Sequence, residues 1–343
     1  MKKSVQKRKS LTQETEYASE EEEIVDSSNV LLHQLCKQLH PVKHLEASLP
    51  PLLQQPHQAL SSFLGHAFSS FSNDSVMIVG PGKSGKKHLV KYTLKELKKS
   101  RKYSFKSIYI NGQNVSTDAH LLGYVLSELD RVKNSEEEEV IVNENHYQND
   151  DDFDEQAKSV EFLQSLKDFT NQSIVFILDN FENLCKNAGK MLYTITDTCH
   201  ESRLSVILIG ITTSSSIALA MDRRVRSRFS SRKIYTLLPR NVSQVSQVLS
   251  YYLQVHSDLN DNSIELYNNQ LLTCLLDPDV VQLLEEVKLR SNCTFIYDLA
   301  FKIFELCQPA LEKYPIPEDA TIITPAMINK AFLSLVNNRV DSR

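Results

Sequence analysis

The chain has 343 residues, a formal net charge of −5 and a hydrophobic fraction of 41%. This length allows two or three domains, and the net charge gives no indication of nucleic-acid binding. The six cysteines are scattered without a Cys-x-x-Cys pair, which argues against a zinc site and a disulfide framework and favours a reducing compartment. No apolar run approaches the ~20 residues of a membrane span.

Two charged blocks open the chain. A basic arm precedes the acidic run Glu20 to Glu23, and this composition predicts a disordered tail at residues 1–28. The basic arm is either a nuclear localisation signal or a plain flexible end. Leu31 to Leu45 then has amphipathic helical spacing that stops near Pro50, and Leu60 to Phe71 predicts a second helix.

A phosphate-binding loop follows a short apolar strand at residues 75–79. Residues 80–87 read Gly-Pro-Gly-Lys-Ser-Gly-Lys-Lys, which fits Gly-x-x-x-x-Gly-Lys-[Ser/Thr] everywhere except at the last position. A strand, a glycine-rich turn and a helix aim backbone N–H groups at phosphate, and these flanks weaken the alternative of a chance match. The candidate nucleotide-binding residues are Gly80, Pro81, Gly82, Lys83, Ser84, Gly85, Lys86, Lys87 and His88.

The last position of the motif is altered. Lys87 stands where a Ser or Thr hydroxyl would hold Mg²⁺. Lys87 also belongs to a dense basic run from Lys86 to Lys106, in which Lys91, Lys95 and Lys98-Lys99 share one helical stripe. That stripe is either a surface for a DNA backbone or a solvated helix face.

The middle of the chain alternates strands and helices. Ser107 to Asn111 predicts a strand, Ala119 to Val132 a helix, and Glu161 to Phe169 another helix. Residues 134–155 are an acidic, low-complexity stretch that predicts a mobile loop. This alternation predicts a parallel sheet with right-handed crossovers.

A second motif ends the buried-strand run that starts at Ser173. Asp179 stands at the carboxyl end of this strand, where P-loop NTPases place a carboxylate for Mg²⁺. Asn180 takes the next place, where many of these enzymes have a Glu that activates water. A neutral amide cannot accept that proton. Glu182 lies two residues further along and does not replace it.

An arginine cluster follows a third buried strand at residues 204–213. Arg224, Arg228 and Arg232 are four residues apart, so on a helix they would line one face. Such a row could reach the γ-phosphate bound by a neighbouring subunit, as arginine fingers do. It could also follow a nucleic-acid backbone, or be a solvated basic face. After Pro239 the apolar spacing is purely helical to the end of the chain.

The order of these motifs resembles the initiator branch of the AAA+ ATPases, which includes subunits of the origin recognition complex. The resemblance is carried by the loop at 80–87 and by the segments 177–182, 209–212 and 224–229. The last segment, Arg-Val-Arg-Ser-Arg-Phe after a Gly-Ile-Thr strand end, is the most specific. The resemblance covers about residue 29 to the C-terminus.

The resemblance implies roles for individual residues. Residues 80–88 would hold ATP, and Asp179 would be the acid on the metal side of the same site. Arg228, with Arg224 as the nearest alternative, would be a finger inserted into the ATP site of the complex's first subunit. Ile211 replaces a polar sensor that active relatives place there.

Together with Lys87 and Asn180, Ile211 favours an ATP site that is structural. Lys87 would supply part of the charge of the metal, and whether Mg²⁺ binds is left open.

The predicted organisation is a tail at 1–28, an AAA+ α/β nucleotide-binding domain at 29–238 and an all-α lid at 239–343. Relatives continue into a winged-helix domain, which we expect to be absent here, either because the protein is short or because the gene product is incomplete. The resemblance further implies a nuclear protein that contacts other origin recognition complex subunits and double-stranded origin DNA, and no membrane. An independent AAA+ or STAND-type ATPase for remodelling or signalling is the alternative.

Overall fold

The computed structural model describes residues 30–39, 49–134, 162, 164–166, 169, 172–201, 205–255, 262–290, 292–312, 316–317 and 319–340. The predicted tail at 1–28 lies outside these residues, as does the predicted acidic loop except for its first residue. The predicted helix at 161–169 is described only in part. In the described part of the chain, no helix combines the length and apolar character that crossing a membrane requires.

A parallel sheet forms the centre of the first part of the chain. Its strands are β1 (Asp74–Val79), β2 (Phe105–Asn111), β3 (Ser173–Asp179), β4 (Val206–Thr212) and β5 (Lys233–Tyr235). They lie in the order β2-β3-β4-β1-β5, and every pair is parallel. All residues of β3 and β4 are buried, as expected for apolar strands covered on both faces.

Helices cover both faces of this sheet. The helices in this part of the chain are α1 (Val30–Gln38), α2 (Pro51–Ser70), α3 (Lys86–Lys99), α4 (Asp118–Asn134), α5 (Phe181–Asn187), α6 (Gly189–Glu201), α7 (Ile217–Ala220) and α8 (Arg223–Arg228). α2 and α3 pack on one face of the sheet, and α4, α5 and α6 pack on the other. α1 is the exception, because it does not pack on the sheet.

The C-terminal part is a helical bundle. Its helices are α9 (Val242–Leu253), α10 (Asn262–Leu275), α11 (Pro278–Arg290), α12 (Cys293–Leu311) and α13 (Pro325–Val340). Leu31, Leu35 and Leu39 are buried in the core of this bundle. Gln38 also donates its side-chain amide to the Tyr251 carbonyl across 2.8 Å. α1 therefore packs with the helical bundle, whereas the predicted domain boundaries placed it in the nucleotide-binding domain.

The α/β class with a parallel sheet and following helices is confirmed. The second helix begins at Pro51 rather than near Leu60, because proline is favoured at the first helical position. The arginine helix ends at Arg228, so the prediction that Arg232 extends the same helical face is wrong. Arg232 instead lies over the Phe63 ring at 4.9 Å. β5 was not predicted, since three residues are too few to show a period.

Candidate functional site

The phosphate loop connects the end of β1 to the start of α3, as the motif predicted. Gly80 passes so close to Thr236 that a Cβ there would lie 2.2 Å from the Thr236 Oγ1 atom. Gly85 caps α3 with a φ of +86°, a conformation that glycine adopts without a steric cost. A Cβ on Gly82, in contrast, would meet no atom within 4 Å. The loop thus needs glycine at its two ends and faces open space in the middle.

Polar side chains brace the loop from inside. The Lys86 ammonium donates to the Gly80 carbonyl at 2.7 Å and to the Pro81 carbonyl at 2.6 Å. The hydroxyl of Ser84, which is buried, donates to the Pro81 carbonyl at 2.9 Å and lies 2.7 Å from the Thr236 hydroxyl. Burial lowers the pKa of Lys86, although the carboxylates of Asp179 and Glu182 oppose this. The loop therefore holds a poorly solvated cation that an anionic phosphate would stabilise.

Asp179 is the centre of a hydrogen-bond network at the end of β3. Its Oδ2 atom lies 2.6 Å from the Lys87 ammonium and accepts the Tyr109 hydroxyl at 2.5 Å. The same atom lies 3.4 Å from the Asn180 amide nitrogen. The Asp179 side chain is 4% exposed, whereas that of Lys87 is 56% exposed. Lys87 therefore neutralises a buried carboxylate while most of its own side chain remains accessible from the cavity.

Asn180 is held in a conformation that suits an amide. Its φ is +49°, in the left-handed region that Asn tolerates better than most residues. Its side-chain amide donates to the Asn111 side-chain oxygen at 2.8 Å. A Cβ on the adjacent Gly112 would lie 2.6 Å from the Asn180 carbonyl, so this turn is closely packed. Asn180 is thus a fixed part of the turn after β3, with no group that accepts a proton.

Glu182 connects α5 to the end of β4, a link that the sequence did not reveal. One of its oxygens accepts from the Thr212 hydroxyl at 2.5 Å, from the Thr213 N–H at 2.6 Å and from the Ser214 N–H at 3.0 Å. Burial acts to raise the pKa of Glu182, but the hydrogen bonds from Thr212, Thr213 and its own backbone outweigh burial and lower it. Ile211, which the resemblance places at the position of a polar sensor, is buried, and Thr212 has the hydroxyl one residue later.

The loop, Asp179 and the helical bundle enclose one cavity of about 700 Å³. Gly82 to His88, Lys91, Tyr109, Asp179, Asn180, Glu182 and Ile211 to Thr213 line its α/β side. Tyr252, Cys293, Thr294, Tyr297 and Asp298 line the side formed by the bundle. The Cys293 N–H donates to the Lys83 carbonyl at 3.2 Å, which ties the bundle to the loop. Most of the sequence-predicted binding residues therefore share a single cavity.

The bundle wall of this cavity is aromatic and has no basic residue among those lining it. The rings of Tyr252 and Tyr297 meet edge to face at 5.5 Å, and the Tyr297 hydroxyl donates to the Leu39 carbonyl at 2.7 Å. Burial raises the pKa of Cys293 to about 11, so this thiol is neutral at physiological pH. No motif marks these residues, because they come from two helices that meet only in the folded chain.

Arg224 and Arg228 lie outside this cavity, on α8. Arg228 is held in place, with its Nε 2.5 Å from the Asp197 carboxylate and its guanidinium 4.6 Å from the centre of the Tyr193 ring. Arg224 is more open: its side chain is 72% exposed and lies 5.4 Å from the same ring. The Asp222 side chain caps the helix by accepting the Arg224 N–H. The helix thus presents one ion-paired and one largely exposed guanidinium beside a single tyrosine.

The lysines of the basic stripe on α3 lie in different surroundings. Lys91 lines the cavity, and the Lys98 ammonium lies 5.6 Å from the centre of the Phe105 ring. Lys99, the last residue of the helix, and Arg101, two residues beyond it, are exposed. Only part of this run is therefore available as a solvent-facing basic surface.

No family model matches the chain. It is 26% identical over 240 residues to origin recognition complex subunit 4 of Homo sapiens, and this match covers 68% of the chain and 52% of the human protein. The chain therefore spans about half the length of this curated relative.

Two solved structures share the fold. The Aeropyrum pernix ORC1 protein in complex with DNA matches with a TM-score of 0.60 and 17% identity, over 89% of this chain and 70% of that one. The Aeropyrum pernix ORC2 protein, solved as ADPNP-ADP complexes, matches with a TM-score of 0.52 and 15% identity, over 84% and 70%. The resemblance inferred from the motifs is confirmed: the chain shares the fold of these two proteins and is similar in sequence to origin recognition complex subunit 4.

Proposed function

We propose that the chain is a nucleotide-binding subunit of an origin recognition complex that holds ATP as a structural element. The observation that carries this proposal is the shared cavity of the loop, Asp179 and the helical bundle. The loop can offer backbone N–H groups at the start of α3, which together with the helix dipole favours phosphate. The tyrosine-lined wall opposite the loop suits a nucleobase, because aromatic rings stack on bases.

The same cavity supports binding without turnover. Asn180 occupies the position of the group that would activate water, and its amide is already bonded to Asn111. Glu182 is the other acidic side chain lining the cavity near β4, and donors from residues 212–214 already bind its carboxylate. A lowered pKa also makes Glu182 a weaker base. Neither Asn180 nor Glu182 is therefore poised to act as a general base.

α8 would act on a second subunit. Its arginines lie outside the cavity of this chain's own loop and one of them is well exposed, as a finger supplied in trans requires. Arg228 is the stronger candidate, because Asp197 and Tyr193 fix the direction of its guanidinium. A preorganised cation stabilises transition-state charge without a cost of reorientation. The proposed recipient is the ATP site of the first subunit of the complex.

Membership of the complex is proposed from the relatives. They are named as origin recognition complex subunit 4, and one structural neighbour was solved bound to DNA. The role that follows is support of origin DNA binding and of replication licensing in the nucleus. The exposed end of the α3 stripe, at Lys99 and Arg101, is a candidate contact for the DNA backbone.

The proposal is tested by purifying the tagged chain from nuclei and identifying its partners by mass spectrometry. Recovery of the other origin recognition complex subunits is expected, and a matched preparation of Leu31→Asp, which disrupts the core of the helical bundle, should lose them. Isolation of the wild-type chain without any initiator subunit, together with ATP hydrolysis by the chain alone, would favour an independent ATPase instead.

A further inference from the structure

A magnesium ion is what this fold would normally hold beside the phosphates. Its protein contacts come from the hydroxyl after the loop lysine and from the carboxylate at the end of the strand that corresponds to β3. At the first of these positions stands Lys87, whose ammonium has no lone pair to offer a metal. The donor set at the loop therefore does not fit the ion.

The second metal-side group is already used within the protein. The Oδ2 atom of Asp179 receives the Lys87 ammonium and the Tyr109 hydroxyl, both within 2.6 Å. A divalent cation bound there would have to displace Lys87 and lie beside its positive charge. Separating the pair would leave the ammonium next to the dication without its carboxylate partner.

The charge of the cavity is already arranged for an anion. Lys86 and Lys87 are consecutive, and the proximity of Lys87 adds to the burial that lowers the pKa of Lys86. Lys91 lines the same cavity one helical turn further along α3. Polyphosphate oxygens would relieve the repulsion among these cations, whereas a metal-loaded nucleotide carries less negative charge with which to do so.

We propose that this site takes the nucleotide as its metal-free polyphosphate, with the Lys87 ammonium in the place of Mg²⁺. This inference rests on the proposed nucleotide binding and adds that the binding is independent of a divalent cation. Lys87 then has two partners, the buried Asp179 carboxylate and the terminal phosphates, and it couples the nucleotide to the end of β3.

The test is an equilibrium titration of the purified chain with a fluorescent ATP analogue, once in excess MgCl₂ and once in excess EDTA. The wild-type chain should bind at least as tightly in EDTA as in MgCl₂. Lys87→Thr, which restores the usual hydroxyl, should bind about tenfold or more weakly in EDTA than the wild-type chain, because a hydrogen bond between charged groups is lost. Lys99→Thr removes a charge from the exposed end of the same helix and should keep the wild-type ratio.

A tenfold loss of wild-type affinity in EDTA would overturn the inference while leaving nucleotide binding intact. Absence of binding in both media would instead contradict the proposed function. Should Lys87→Thr fail to fold, electron paramagnetic resonance of Mn²⁺ with ATP and the wild-type chain decides the matter. We expect the spectrum of the Mn²⁺–ATP complex in solution to persist, and a stoichiometric protein-bound Mn²⁺ signal would overturn the proposal.

Discussion

The phosphate loop and the arginine helix α8 use positive charge in opposite ways. In the loop, Lys86 and Lys87 turn inward onto carbonyls and the buried Asp179 carboxylate. On α8, Arg224 projects into solvent and Arg228 is fixed against a partly exposed aspartate. The first arrangement is complete within one chain once an anion enters it. The second gains a role only when another molecule supplies the anion.

Under the proposed function, this difference places nucleotide binding at the loop and the contribution to catalysis on α8. A site that keeps its loop and loses its proton acceptor, as at Asn180, can hold nucleotide without consuming it. The exposed guanidinium of Arg224 should contribute little to the stability of the fold, as is usual for solvated surface charges. The two regions should therefore respond independently to mutation, which makes the comparison open to experiment.

The largest expected effect is on the ATPase activity of the assembled complex. Arg228→Ala should reduce this activity by about 10³-fold, because an arginine finger in trans contributes ~10³–10⁵ to phosphoryl transfer. The affinity of the isolated chain for nucleotide should not change. Arg226→Ala, an exposed arginine on the same helix, is the matched control. If the activity survives both Arg228→Ala and Arg224→Ala, α8 supplies no finger.

The loop should respond in the complementary way. Lys86→Ala should weaken binding of a fluorescent ATP analogue to the isolated chain by about 10- to 100-fold, since a hydrogen bond to a charged group contributes ~1.5–3 kcal/mol. Lys99→Ala removes the same charge at the exposed end of α3 and should bind as the wild-type chain does. Equal affinities for the two variants would show that the loop is not the nucleotide site.

Asp197 distinguishes between the two candidate fingers. Asp197→Ala removes the carboxylate that orients Arg228 and leaves Arg224 with its neighbour Asp222. The ATPase activity of the complex should fall by about tenfold, equivalent to ~1.4 kcal/mol, if Arg228 acts on the phosphate. An unchanged activity, combined with a loss in Arg224→Ala, would transfer the role to Arg224.

The last expected effect is on stability and concerns the geometry of the loop. Gly80→Ala should lower the free energy of unfolding by about 1–3 kcal/mol, because the added methyl group would collide with Thr236. Gly82→Ala meets no atom within 4 Å and should be nearly neutral. Chemical denaturation of the two variants measures both values. Equal losses would contradict the close passage of the chain at Gly80.

The sequence predicts best what is local. The loop at 80–87 and the apolar runs of β3 and β4 appear where they were expected, because their signals lie within single segments. Long-range contacts were not predictable in this way. The bond from Thr212 to Glu182 spans 30 residues, and the bond from Tyr297 to Leu39 spans 258. Neither has a pattern in the sequence, and both shape the cavity.

The altered motif positions show the same division. Lys87 and Asn180 were recognised as departures from their residue types alone. The structural consequence of these departures could not be predicted from the sequence, because the pairing of Lys87 with Asp179 depends on where α3 meets the end of β3. The left-handed backbone at Asn180 also could not be deduced from its position after a strand.

The central claim is that this chain holds ATP and does not hydrolyse it. The direct measurement incubates the purified chain with radiolabelled ATP and Mg²⁺, isolates the protein and separates the bound ATP from ADP over time. The account predicts that the bound nucleotide remains ATP over many minutes. Conversion to ADP with turnover near the ordinary enzymatic ~1 s⁻¹ would contradict it.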